Sequence, residues 1–166
     1  MKTSVKFIAL FITLTVLTLS TLAQKESPVI DQSELLKKFE GTWICEIGKD
    51  TIAQWDMIPF GTGFDARLKY TSLGKIIKEG KGLYGYDKIL DKIVEAGITK
   101  GKDIAVYVMW FTSDTRWVLI PYSDLPAPEK AGFKMEGEFR SPDNLVETNF
   151  ENNRIVKIKS WTKAKQ

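Results

Sequence analysis

From Gly41 onward the apolar positions recur with a period of two, in segments of about 7–12 residues separated by turn signals. The pattern predicts strands near 42–48, 51–58, 63–72, 75–86, 89–97, 103–112, 115–122, 132–140, 144–151 and 154–163. Between them lie Gly48-Lys49-Asp50, Ser72-Leu73-Gly74, Ser113-Asp114, Ser141-Pro142-Asp143 and Asn152-Asn153, residues suited to backbone reversal. Alternation is sharpest in two places. Phe64, Ala66, Leu68 and Tyr70 oppose Asp65, Arg67 and Lys69, and Phe133, Met135, Gly137 and Phe139 oppose Lys134, Glu136, Glu138 and Arg140. These read as antiparallel strands with one buried and one wet face. Strands 103–111 and 116–122 are apolar on both faces, so their outer side needs a cover: the helix, a partner or a second copy.

One short helix precedes the strands, over residues 31–40. Asp31 or Ser33 can cap it, Leu35, Leu36 and Phe39 give it an apolar face, and Gly41 stops it. No connection is long enough for a helical crossover except 123–131, where Pro126 and Pro128 argue against a helix. The expected fold is therefore all-β, an up-and-down antiparallel barrel of about 8–10 strands with a short N-terminal helix. Closure removes the sheet edges that an open meander would expose. A sandwich is the alternative. An outer-membrane barrel, with apolar outward faces, fits the charged outward positions poorly.

The start of the chain follows other rules. A basic stretch, Met1 to Lys6, leads into the apolar run Phe7–Leu19, and Thr21-Leu22-Ala23 ends it with small residues at the cleavage-specifying positions. This is the layout of a secretory signal peptide, residues 1–23, without a cysteine that would anchor a lipoprotein. A flexible leader, 24–30, and a barrel domain, 31–166, would remain, either secreted or periplasmic, with no membrane span after cleavage. Removing Lys2 and Lys6 lowers the net charge from +3 to +1, too balanced to point to nucleic acid. Cys45 is the single cysteine, so no internal disulfide forms, and there is no Asn-x-Ser/Thr site. Both features favour a bacterial source.

The chain contains no histidine. That excludes Ser-His-Asp and Cys-His catalysis, an imidazole base and His-ligated zinc or haem. Acid–base chemistry could come only from carboxylates, lysines and tyrosines. Asp56 and Glu79 are candidates if they point inward, and outward solvation is the simpler reading of each. Cys45, alternating with Trp43 and Ile47, reads as a small buried hydrophobe. The Asp87/Asp91 spacing is too thin for a metal site, and no cofactor is implied.

Phe39-Glu40-Gly41-Thr42-Trp43 places a Gly-x-Trp at the first strand, directly after the helix. Together with Gly82 to Lys88 and the ending Ser141 to Asn144, Arg154 and Ser160-Trp161-Thr162, it resembles the bacterial secreted lipocalin-like proteins of the calycin superfamily. The resemblance implies that Trp43 plugs one barrel end and that a late basic residue, Arg154 or else Arg140, packs over it. It also implies an interior that takes a small apolar or amphipathic molecule. The inward aromatics Trp55, Phe64, Tyr70, Tyr84, Phe133 and Phe139 would line that interior, with Ala66 and Gly137 leaving room. The Arg-x-Tyr of fatty-acid-binding barrels is missing from the last strand, where Lys157, Lys159 and Lys163 read as a solvated outer face.

The expected function is thus binding without catalysis. One alternative is a lyase or isomerase using an inward Asp or Glu with tyrosines. Another is an interaction module with a filled core, forming a homodimer through strands 103–122, where Tyr107, Met109 and Trp117 would be accessible.

Overall fold

The computed structural model describes residues 30–165. The signal-peptide reading and nearly all of the leader lie outside these residues. A helix, α1 (Gln32–Leu36), continues into a 3-10 turn (Lys37–Phe39). Asp31 is its N-cap, accepting from the backbone N–H groups of Ser33 and Glu34 at 3.0 Å each. Ten strands follow: β1 (Gly41–Gly48), β2 (Thr51–Phe60), β3 (Gly63–Ser72), β4 (Lys75–Asp87), β5 (Lys92–Thr99), β6 (Ile104–Phe111), β7 (Arg116–Pro121), β8 (Phe133–Ser141), β9 (Asn144–Glu151) and β10 (Arg154–Lys163).

Each strand pairs antiparallel with its neighbours in sequence, and β1 pairs with β10 to close the barrel. The all-β, up-and-down expectation holds, and most strand limits agree to within a residue. The main shift is β5, which begins at Lys92 rather than near 89. Asp87 accepts from the N–H groups of Ile89 and Leu90, and Asp91 takes a positive φ of 50°, so the segment is a turn despite its two apolar residues. The connection from β7 to β8 holds two short 3-10 turns, Tyr122–Asp124 and Pro128–Lys130, where a loop without helix was expected. Pro128 opens the second, at the one helical position where a missing N–H costs nothing.

The helix closes one end of the barrel. Leu36 and Phe39 are almost fully buried, and the Gln32 amide both donates to and accepts from the Phe111 backbone. Phe39 packs against Trp55, Phe111, Trp117 and Phe139, with ring centroids 5.0–6.0 Å apart. Trp43 is fully buried beneath this plug and donates from Nε1 to the Phe39 carbonyl at 2.7 Å. Lys163 packs over the Trp43 ring, 5.1 Å from its centroid. Arg154, expected in that role, is exposed at the start of β10, and Arg140 is exposed as well. Antiparallel pairing explains the difference. Trp43 lies near the start of β1 and opposite Lys163, so only the end of β10 reaches it.

Strand parity also corrects the reading of 103–122. Met109 and Trp117 are buried in the core, and Tyr107 faces the lumen, so none of the three offers an outer contact face. The opposite set includes Val108 and Ile120, cross-strand partners that are both fully buried, and Trp110, which carries Lys92 over its ring at 4.8 Å.

Candidate functional site

Ten strands enclose more space than their inward side chains fill. A barrel of eight is about wide enough to be packed by side chains or to hold one small ligand. Here a cavity of about 380 Å³ remains inside. One wall is thin for a reason visible in the register. Ala66, Gly82, Gly97 and Ala105 are successive cross-strand partners on β3, β4, β5 and β6, forming an inward row with almost no side-chain volume. The cavity lies against this trough and reaches the turn between β5 and β6, where Lys102 and Asp103 border it. The far wall is bulky and apolar, with Leu119, Phe133, Met135 and Trp161.

The row nearer the helix carries the chemistry. Phe64, Tyr84, Glu95 and Tyr107 are successive partners across the same four strands. The Glu95 carboxylate lies over the trough. A Cβ added at Gly97 would sit 3.5 Å from its Oε1, and one at Gly82 would sit 3.8 Å away. Burial pushes the Glu95 pKa up to about 7, with repulsion from Glu147 adding to it and the Tyr84 hydroxyl opposing it. Burial, reinforced by the Glu95 charge, pushes the Tyr84 pKa well above its ordinary value and raises that of Tyr107. Both tyrosines therefore stay protonated at neutral pH.

A second polar group crosses the lumen on β9 and β10. Lys159 Nζ and Glu147 Oε1 are 2.5 Å apart, with side chains only 12% and 6% exposed. Glu147 is otherwise saturated: Asn149 Nδ2 donates to Oε1 at 2.9 Å and Trp161 Nε1 donates to Oε2 at 3.1 Å. Burial works to lower the Lys159 pKa, but the attraction and hydrogen bond of Glu147, helped by Tyr70, outweigh it and keep the ammonium charged. Lys159 was expected on an outer face. It faces inward because Trp161, two residues on, is buried in the core and fixes the parity of the strand. Lys163 packs on Trp43, which leaves Lys157 as the exposed lysine of the three.

The expected lining residues divide in two. Trp55, Tyr70, Tyr84 and Phe133 border the cavity. Phe64 and Phe139 belong to the packed core, where Phe139 packs between Phe39 and Trp43. Ala66 leaves room as expected, but the space at Gly137 is filled by the Trp117 ring. Neither sequence candidate for acid–base chemistry lies in the lumen wall. Asp56 accepts from Thr42 Oγ1 at 2.7 Å and from Gln54, and Glu79 pairs with Lys100 at 3.2 Å. Asp87 and Asp91 serve the turn before β5, Asp91 accepting from the Tyr86 hydroxyl. Cys45 is buried, and its pKa is raised chiefly by that burial.

Glu95 and Glu147 were not singled out from the sequence, and Lys159 was read there only as part of a solvated outer face. The available signal was cross-strand: each acid faces a residue whose inward direction an aromatic neighbour fixes. No helix among the described residues is long and apolar enough to cross a membrane. Among them, no group of three or more Cys, Asp and Glu side chains gathers as a metal site would require. Compared with known proteins, the chain matches no family model and no curated protein.

Proposed function

We propose that the protein binds a small amphipathic molecule inside its barrel and releases it unchanged. The observation that carries this reading is the registered row Ala66, Gly82, Gly97 and Ala105, which leaves a cavity of about 380 Å³ open to a mouth beside the β5–β6 turn. Pockets of this size, largely apolar with a few placed polar groups, are the usual form of small-molecule sites. The resemblance of Gly41-Thr42-Trp43 to the lipocalin-like secreted proteins supports it, as does the plug that Trp43 forms with Phe39. A signal peptide over 1–23 would place the binding step in the periplasm or outside the cell.

Native mass spectrometry of the protein from its own host tests this. The wild type should carry excess mass that is lost on denaturation. Ala105→Phe, whose ring would occupy the trough, should be bare. A wild type that is bare, and stays bare when titrated with decanol, overturns the reading.

One observation favours a second reading. Glu95 titrates near neutrality beside Tyr84, which stays protonated, and together they could remove and return a proton as an isomerase or lyase would. Under this reading the bound molecule leaves altered, and Glu95→Gln binds without turnover.

A further inference from the structure

Besides its tyrosines, the described lumen wall carries Lys159, Glu147 and Glu95, and once Glu95 is ionised their charges do not balance. Lys159 and Glu147 neutralise each other, and both oxygens of Glu147 are taken by Lys159, Asn149 and Trp161. Glu95 has no cation of its own among the described residues. Its neighbours across the strands are Tyr84 and Tyr107, and the charge that reaches it from the far wall is that of Glu147. Tyr70 faces Lys159 rather than Glu95. Lys78, Lys81 and Lys102 also border the cavity but are exposed, with Lys78 over the Tyr70 ring, Lys81 3.7 Å from Asp65 Oδ2 and Lys102 next to Asp103. Solvent and salt screen them from the interior.

The space for a partner is on the correct side of Glu95. The carboxylate overhangs the positions where Gly82 and Gly97 lack side chains, so a group lying in the trough meets its Oε1 directly. The surrounding faces are aromatic: Tyr84 and Tyr107 flank the acid, and Trp55 and Trp117 border the same cavity. Aromatic faces attract a cation and offer nothing comparable to an anion. An anionic ligand would find Lys159 already paired and would meet two carboxylates.

Resting on the binding reading above, we infer that the ligand is an organic monocation, an amine on an apolar body, whose ammonium group pairs with Glu95 while its body fills the Ala66-Gly82-Gly97-Ala105 trough. The amine supplies the charge that the lumen lacks.

Three probes with one chain length separate the possibilities: decylamine, decanol and decanoate, titrated by quenching of the lumen tryptophans. At about pH 8, decylamine should bind about tenfold tighter than decanol, the scale of one charge-assisted hydrogen bond, and decanoate should bind weakest. The amine-to-alcohol ratio should fall as the pH drops to about 6 and Glu95 takes up a proton near 7. Glu95→Gln should bind both alike, with no pH dependence of the ratio. If that variant is unfolded, the pH dependence of the wild-type ratio decides alone. Equal binding of amine and alcohol at pH 8, tightest binding of decanoate, or an amine preference that survives Glu95→Gln in a folded variant overturns the inference. Decanol bound without amine preference overturns it and leaves the barrel reading standing. Failure of all three probes overturns both.

Discussion

The indole of Trp117 lies across Gly137, its cross-strand partner, so closely that a Cβ at Gly137 would fall 2.1 Å from Cε2 and 2.4 Å from Nε1. Trp117 sits between the Phe39 plug and the cavity, so this glycine sets where the floor of the lumen lies. Gly137→Ala should swing the ring inward, destabilise the barrel by about 2 kcal/mol and shrink the cavity. Thermal unfolding with decanol titration would check this, and an unchanged melting temperature would contradict it.

Two lumen tryptophans differ in one hydrogen bond. Trp161 Nε1 donates to Glu147, whereas the buried Nε1 of Trp117 has no acceptor among the described residues. Trp161→Phe should therefore cost about 2 kcal/mol more than Trp117→Phe, the margin coming from the lost bond to a charged group. Urea denaturation of both variants measures the margin. Equal losses would count against the assignment.

The Glu147–Lys159 pair is buried enough for a broken pair to be worse than none. Lys159→Met should destabilise by about 3 kcal/mol, because it leaves a carboxylate enclosed without its cation. Adding Glu147→Gln should recover more than half of that loss. A double-mutant cycle by chemical denaturation tests it, and simple additivity of the two losses would refute the coupling.

Glu95 makes stability depend on pH in a defined window. Its folded pKa, about 7, lies above the ordinary value of 4.5, so the native state holds the extra proton between these values. The contribution of this group is therefore full below about 4.5, declines as pH rises toward 7 and is flat above. Because the lumen admits water, we expect about 2 kcal/mol rather than the full linkage value. Glu95→Gln should remove this slope and be the more stable protein at pH 8. Parallel slopes in the two proteins would refute the burial.

The turn between β3 and β4 holds Leu73 at a φ of 49°, 79% exposed. A left-handed conformation suits Asn or Gly, not an aliphatic side chain. Leu73→Asn should stabilise the barrel by about 0.5–1 kcal/mol, read from the urea midpoint. A loss of stability would show that the leucine makes a contact that matters.

Turn chemistry made the architecture legible. The Asn152-Asn153 turn has both residues at positive φ, as its sequence promises, and strands 144–151 and 154–163 end where the pattern ends them. The interior was less legible, because a strand's pattern does not say which side is in. On β5 the apolar set Val94, Ala96 and Ile98 looks like the inner face. Yet Ile93, Glu95 and Gly97 lie in register with the inward residues of β4 and β6. The outer set instead meets Leu83 and Ile104 on the barrel surface. Lys159 was misplaced similarly: alternating lysines look solvated until the buried Trp161 is used to orient them. The polar centre of the lumen arises from pairings between strands, which a single strand's periodicity does not contain.

Among the described residues, the pairing of β1 with β10 is the only one that joins strands distant in sequence, and it is short, with register at Trp43–Lys163 and Ile44–Thr162. Every other pairing can form as a local hairpin. Both ends of the barrel domain therefore lie at the plugged end, where Ala164 donates to the Thr42 carbonyl, far along the strands from the mouth. A circular permutant linking these ends and cut at Pro142-Asp143, a turn at the plugged end, would turn the seam into a hairpin and leave the entrance clear. By the same geometry, a fusion at either end hangs from the base of the vessel and does not cross its opening.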